Sequence, residues 1–95
     1  MFVIQLKFSF NKSNASQYMV GHKLWIEKGI NKGIFLLAGS IKPNIGGIII
    51  AHNISYQDLN EELKNDPFIE HDIVKVAILE VEPSKTDERL GFLQN

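Results

Sequence analysis

His22 is the residue of this 95-residue chain whose type and position most strongly suggest chemistry. It shares a predicted helical face with Trp25 and Ile26, at a position where a helix ordinarily carries leucine. An imidazole titrates near neutral pH, so it can serve as a general acid or base. A histidine on an apolar face is more often simply packed in the core, and from the sequence that structural interpretation stays open.

Asp66 is the second candidate, because it stands directly before Pro67 and Phe68. An Asp-Pro pair can form a turn after a helix with no further role. If two helices lie side by side on one sheet face, however, residues of the first helix and residues after the second converge. A carboxylate next to an imidazole fixes its tautomer. We therefore predict His22 and Asp66 as a catalytic pair.

A glycine-rich hairpin could supply polar backbone groups to a bound molecule. Gly39-Ser40 and Gly46-Gly47 could present N–H groups to an anionic or carbonyl oxygen, although hairpin geometry alone also accounts for such glycines. No nucleophile elbow surrounds Ser40, so a serine nucleophile is not supported. The predicted substrate-binding residues are Trp25, Gly39, Ser40 and Phe68.

The remaining histidines do not indicate a metal site. No HxxxH spacing links His52 and His71 to His22, and the chain contains no cysteine for a zinc site or a disulfide. The sequence predicts neither a metal nor a cofactor.

Composition places the chain among ordinary globular domains, with 44% hydrophobic and 22% charged residues. A net charge of -1 and scattered basic residues do not create the positive field that nucleic-acid binding requires. No apolar run approaches the roughly 20 residues of a membrane helix, and no signal peptide is recognisable at the N-terminus. We expect one cytoplasmic domain over residues 1–95, with its core at about 2–83 and a tail at 84–95.

The elements that must position the site follow from hydrophobic periodicity. Alternation over residues 2–10 predicts a strand, and a helical period then extends to about Ile30, with Ser13 or Ser16 as its cap. Ile30 falls on the apolar face of this helix and Lys23 lies away from it. The later segments are two apolar runs joined as a hairpin (34–38 and 47–51), a helix after Ser55 that stops at Asn65-Asp66-Pro67, and a strand over 73–82.

The order β-α-β-β-α-β predicts an α+β, ferredoxin-like fold with a four-stranded antiparallel sheet. Two helices can cover only one face of that sheet, yet the hairpin strands and the last strand carry apolar residues on both faces. An uncovered apolar sheet face implies a partner, and the simplest partner is a second copy. We therefore expect a homodimer that packs through the open sheet faces.

The order and spacing of several short motifs resemble the YciI-like (YCII-related domain) family. The motifs are His22, Gly33-Ile34-Phe35-Leu36-Leu37-Ala38-Gly39-Ser40, Pro43-Asn44-Ile45-Gly46-Gly47-Ile48-Ile49-Ile50-Ala51 and Asp66-Pro67-Phe68. The resemblance runs from about residue 2 to residue 83. It implies a ferredoxin-like dimeric α/β barrel whose first-helix histidine and Asp-Pro aspartate form the active-site pair, matching His22 and Asp66.

Two positions depart from the family pattern. Ser40 stands where the family often has proline, and Asn44 where it commonly has arginine. Loss of an arginine removes a bidentate clamp for an anion, so a substrate cannot be inherited from the family.

Three functional hypotheses remain at this point. The first is a cofactor-independent enzyme that performs proton transfer of the lyase or isomerase type on a small molecule, with His22 as acid or base and Asp66 orienting it. The second is a non-catalytic homodimer that binds a small ligand in the same cleft. The third makes the two residues a buried packing pair.

Overall fold

The elements follow the predicted β-α-β-β-α-β order, with one additional short helix before the last strand. The computed structural model describes residues 1–94, so Asn95, the end of the predicted tail, lies outside the described residues. The elements are β1 (Phe2–Phe8), α1 (Ala15–Asn31), β2 (Phe35–Ile41), β3 (Gly46–Ala51), α2 (Tyr56–Leu63), α3 (Pro67–Glu70) and β4 (Val74–Glu80), with 3-10 turns at Lys12–Asn14 and Glu88–Leu93.

The four strands form one antiparallel sheet in the order β2-β3-β1-β4. The first strand is central and pairs on both sides, so that Phe2 lies opposite Ala51 of β3 and Glu80 of β4. This arrangement confirms the predicted ferredoxin-like α+β fold.

The helices pack on the sheet face that carries the alternate residues of β1. Phe2, Ile4 and Leu6 are almost completely buried there, and Ile49 of β3 lies opposite Ile4. Each such side chain contributes about 1.5–3 kcal/mol when it is removed from water. The core is completed by Trp25, Phe35, Ala51, Leu59, Leu63, Phe68, Ile73 and Val74.

The first helix differs from the prediction at its start and near its end. It begins at Ala15 with Asn14 as N-cap, not Ser13 or Ser16, and no side-chain hydrogen bond caps it. Ile30 is 46% exposed, because Trp25 and Gly29 are the residues that face the core. At 100° per residue, Ile30 lies about 120° around the helix from the middle of that buried face.

The second helical region contains an element that the sequence analysis missed. As predicted, the Ser55 hydroxyl caps α2, accepting a hydrogen bond from the Asp58 amide at 3.0 Å. The Asp66-Pro67 pair, interpreted as a turn, instead begins the short helix α3, with Asp66 as N-cap and Pro67 in its first turn. An N-cap aspartate followed by proline is itself a helix-start signal.

The other sheet face lies open along its hairpin edge and its β4 edge. The strand register places Leu37, Ile48, Ile50, Val3 and Leu79 on this face. Leu37 and Leu79 are 51% and 55% exposed, so no other segment of residues 1–94 covers the face at these positions.

The tail touches the end of β3 through one aromatic contact. The Phe92 ring meets His52 edge-on, with ring centroids 5.5 Å apart, and Phe92 itself remains exposed.

The Arg89 guanidinium beside Asp87 lowers the pKa of that carboxyl, and a hydrogen bond from the Arg89 amide adds to the effect. No helix within the described part of the chain is long and apolar enough to cross a membrane.

Candidate active site

His22 and Asp66 are in direct contact. Nδ1 of His22 lies 2.7 Å from Oδ1 of Asp66, a distance typical of a charge-assisted hydrogen bond. The Asp66 side chain is completely buried, and that of His22 is 13% exposed. The structure thus brings together the two residues predicted as the catalytic pair, although they are 44 positions apart in the chain.

The local fold around α3 holds the carboxylate in place. Oδ1 of Asp66 also accepts a hydrogen bond from the Phe68 amide at 3.0 Å, which is the N-cap bond of α3. The Asp66 amide donates to the Leu63 carbonyl at the end of α2. Gly21 lets α3 approach α1, because a Cβ there would stand 3.1 Å from Cγ of Pro67. The close approach of the two helices therefore sets the distance between His22 and Asp66.

The second oxygen of the Asp66 carboxylate is unusual. Oδ2 is buried and has no hydrogen-bond partner among residues 1–94. A buried polar atom without a partner costs about 1–3 kcal/mol, and such atoms are rare in folded proteins.

The imidazole ring is held in both its plane and its rotation. It stacks on Phe68 with ring centroids 3.9 Å apart and planes at 5°, while Asp66 engages Nδ1. When the Asp66 carboxyl is ionised it can only accept a hydrogen bond, and Nδ1 then carries the hydrogen of the neutral ring. Nε2, which makes no hydrogen bond to any described residue, is the nitrogen left for a ligand.

A cavity of about 270 Å³ lies between α1 and the sheet, and His22 forms part of its wall. It exists because the hairpin strands present small residues toward α1, namely Ala38, Ser40 and Gly47. An engineered apolar cavity of about 150 Å³ accommodates benzene, so there is room here for one substituted ring. The remaining lining residues are Leu6, Phe8, Met19, Lys23, Ile26, Gly39, Gly46, Ile48, Ile49, Phe68 and Val74.

One glycine of the hairpin is required by the backbone itself. Gly46 has φ of +149°, and a Cβ at this position would overlap the Leu6 carbonyl oxygen. Glycine here allows the hairpin to lie close against β1 and leaves this part of the cavity wall without a side chain.

Three of the four predicted substrate-binding residues line the cavity, and the fourth does not. Gly39, Ser40 and Phe68 line the cavity together with His22. Trp25 does not line it, because its indole packs in the core and its Nε1 donates a hydrogen bond to the Glu62 carbonyl at 3.1 Å. This hydrogen bond connects α1 to α2, and Trp25 lies outside the cavity.

Lys23 is a cavity residue that the sequence analysis placed elsewhere. Helical periodicity puts it off the apolar face, and it is indeed exposed, yet it lines the cavity beside His22. A lysine stem can lie along apolar surface while its ammonium group stays in water. The available signal was its position next to the candidate histidine.

The other histidines lie apart from this site. The His71 ring stacks on Tyr18 at 4.1 Å, and the His52 ring contacts Phe92. Over the described range of the chain, no group of three or more His, Cys, Asp or Glu side chains is arranged to hold a metal ion.

Comparisons with known proteins identify a structural relative but no sequence family. No protein-family model matches the chain, and no curated protein matches it. The chain is similar in structure to 5-chloro-2-hydroxyhydroquinone dehydrochlorinase from Burkholderia phenoliruptrix AC1100, solved in complex with 2,5-dihydroxybenzoquinone. The TM-score is 0.72 at 16% sequence identity, over 93% of this chain and 96% of that one. This likeness shows the fold, and the resemblance to the YciI-like family stays a prediction.

Proposed function

We propose that this chain is a cofactor-independent enzyme that catalyses a lyase- or isomerase-type proton transfer on a small molecule. The observation that carries the proposal is the 2.7 Å contact between the completely buried Asp66 and His22, which lines a cavity large enough for one ring. Titratable groups in such a cavity are the usual components of acid–base catalysis.

In this mechanism Nε2 of His22 takes a proton from a substrate hydroxyl group or from a carbon next to a carbonyl group. Asp66 keeps the hydrogen on Nδ1 and stabilises the imidazolium that forms. The electron pair left on the substrate either shifts so that His22 returns the proton to another atom, which is isomerisation, or expels a leaving group, which is elimination. Phe68 holds the ring plane throughout.

The structural relative gives the elimination branch a concrete substrate to test. Its name describes removal of hydrogen chloride from a chlorinated, hydroxylated ring. The cavity of the present chain has the volume for one ring of that kind. We therefore use 5-chloro-2-hydroxyhydroquinone as the first substrate, and a panel of small carbonyl compounds for the isomerisation branch.

The experiment measures chloride release from this substrate, and exchange of carbon-bound hydrogen in the panel in heavy water by NMR. His22→Gln retains an amide that can donate to Asp66, and it should lower any observed rate about 10²- to 10⁴-fold. His71→Gln, in an exposed histidine outside the cavity, is the matched control and should not change the rate. Equal rates for the two variants, or no turnover of any compound by the wild type, would contradict the proposal.

A non-catalytic ligand-binding protein is the alternative. It is favoured by the predominantly apolar wall, in which His22 and Lys23 are the only titratable side chains. This alternative predicts that compounds bind in the cavity and raise the melting temperature, while His22→Gln alters affinity and no compound is converted.

We further propose that the protein is a homodimer joined through its open sheet face. The half-exposed Leu37 and Leu79 on that face support this proposal. Each protomer would then keep its own cavity, since the cavity lies on the other side of the sheet, between the sheet and α1. The cytoplasmic location remains an expectation from the sequence.

A further inference from the structure

Among residues 1–94, Lys23 has no acidic partner, like Lys28 of the same helix and unlike Lys32 and Lys64. Lys32 and Lys64 pair with Glu62 and Glu61 at 3.4 and 3.0 Å. In the described part of the chain, no carboxylate lies within 4.0 Å of the Lys23 ammonium group. Its positive charge is therefore available to a molecule in the cavity that it lines.

The cavity wall contains nothing that would cancel this charge. None of the lining residues is an aspartate or a glutamate. Asp66 is completely buried, is not part of the wall, and is already engaged by His22. A second cation stands close by, because Nζ of Lys12 lies 4.9 Å from the centre of the Phe8 ring, and Phe8 lines the cavity. The surroundings thus favour a negatively charged group on a ligand in the cavity.

The rest of the wall determines what kind of anion fits. Met19, Ile26, Ile49 and Phe68 provide apolar contact, so most of the ligand must be apolar. A volume of about 270 Å³ limits that body to about one ring with its substituents.

We propose that Lys23 is a specificity-determining residue that selects a single-ring organic anion, such as an ionised hydroxyquinone, phenol or ring carboxylate, over its neutral analogue. The inference rests on the proposed function only in using the same cavity. Lys23 binds the charged oxygen of the ligand while the ring packs against the apolar wall next to His22.

The test measures dissociation constants by calorimetry for 2,5-dihydroxybenzoquinone and for its neutral dimethyl ether. The hydroxyl groups of the first compound are vinylogous acids and are ionised at neutral pH. Lys23→Met should weaken binding of the anion about tenfold or more, the range for loss of a charge-assisted hydrogen bond, and leave binding of the ether unchanged. Lys23→Arg should restore most of the affinity, because it restores the charge.

Lys28→Met is the matched control, since Lys28 is an exposed lysine of the same helix that does not line this cavity. It should bind both compounds as the wild type does. The inference is overturned if Lys23→Met and Lys28→Met bind the anion equally, if Lys23→Met weakens both compounds alike, or if the wild type does not bind the anion.

A failure here can be told from a failure of the proposed function. If turnover depends on His22 while Lys23→Met leaves anion affinity unchanged, only the role of Lys23 is wrong. If anion affinity depends on Lys23 while no compound is converted, the selection stands and the enzyme hypothesis is wrong.

Discussion

At the scale of single residues, the arrangement of His22 and Asp66 supports the proposed functional pair over a packing pair. Asp66 caps α3, contacts His22 and leaves Oδ2 without a partner among residues 1–94. Burying a charged pair is a poor source of stability, because the cost of desolvation offsets the attraction between the charges. The small expected contribution to stability favours the proposed acid–base role over a purely structural one.

A double-mutant cycle tests how the two residues depend on each other. His22→Ala leaves the buried Asp66 carboxylate without its side-chain partner and should cost about 3 kcal/mol in the free energy of unfolding. In the Asp66→Asn background, which lacks the charge, the loss of unfolding free energy caused by His22→Ala should be smaller than in the wild type. The expected difference is about 1 kcal/mol or more. Urea unfolding measures all four proteins. Additive effects of the two substitutions would show that the pair is not coupled.

Trp25 provides a complementary prediction, because it lies behind the site and not in it. Trp25→Phe removes the hydrogen bond to the Glu62 carbonyl and should destabilise the protein by about 1 kcal/mol. Affinity for 2,5-dihydroxybenzoquinone should stay the same, since Trp25 does not line the cavity. A large loss of affinity with unchanged stability would instead restore Trp25 to the binding site that the sequence analysis predicted.

At the scale of elements, the site depends on close approaches that the chain makes through glycine. Because Gly21 has no side chain, α3 can pack closely against α1. Because Gly46 has none, the β2–β3 hairpin can pack closely against β1. The first approach places Asp66 at His22, and the second shapes the cavity wall. Both depend on contacts between segments that are distant in the sequence.

Gly46→Ala should destabilise the fold by more than about 2 kcal/mol, because the new Cβ would overlap the Leu6 carbonyl and the backbone has a positive φ. Gly39→Ala in the neighbouring strand is the matched control, because its Cβ would have no atom within 4 Å. Thermal unfolding should separate the two variants clearly. Similar melting temperatures would mean that the hairpin does not approach β1 as closely as described.

The sequence predicted the sheet, the two longer helices and the candidate pair, but not α3 or the cavity. Alternation in β1 and the Ser55 cap of α2 are local patterns, and both appear in the structure where they were expected. The cavity arises from Ala38, Ser40 and Gly47 facing α1, which requires the strand register and a β-bulge between Phe35 and Leu37. The sequence analysis did not predict Lys23 as a cavity residue for the same reason, because its contact with the cavity depends on how the sheet and α1 pack together.

At the scale of the whole molecule, one sheet face supports the site, and among residues 1–94 the other face is exposed at its two edges. The predicted homodimer would bury Leu37 and Leu79 on that open face, at opposite edges of the sheet. Neither residue touches the cavity, so assembly and ligand binding can be tested separately.

Leu79→Lys should weaken the dimer by at least about tenfold, because it places a charge in an apolar interface, and sedimentation velocity at micromolar concentration measures the change. Val20→Lys is the matched control, since Val20 is 73% exposed on α1, away from the open sheet face. A wild-type protein that sediments as a monomer at this concentration would contradict the proposed dimer.

The proposed acid–base role depends most directly on which nitrogen of His22 carries the hydrogen. Long-range proton–nitrogen NMR correlation identifies the tautomer of the ring at a pH where it is neutral. The geometry predicts hydrogen on Nδ1 toward Asp66, with the lone pair on Nε2, and Asp66→Ala should abolish this preference. A wild-type ring with its hydrogen on Nε2, unchanged by Asp66→Ala, would contradict the proposed acid–base role.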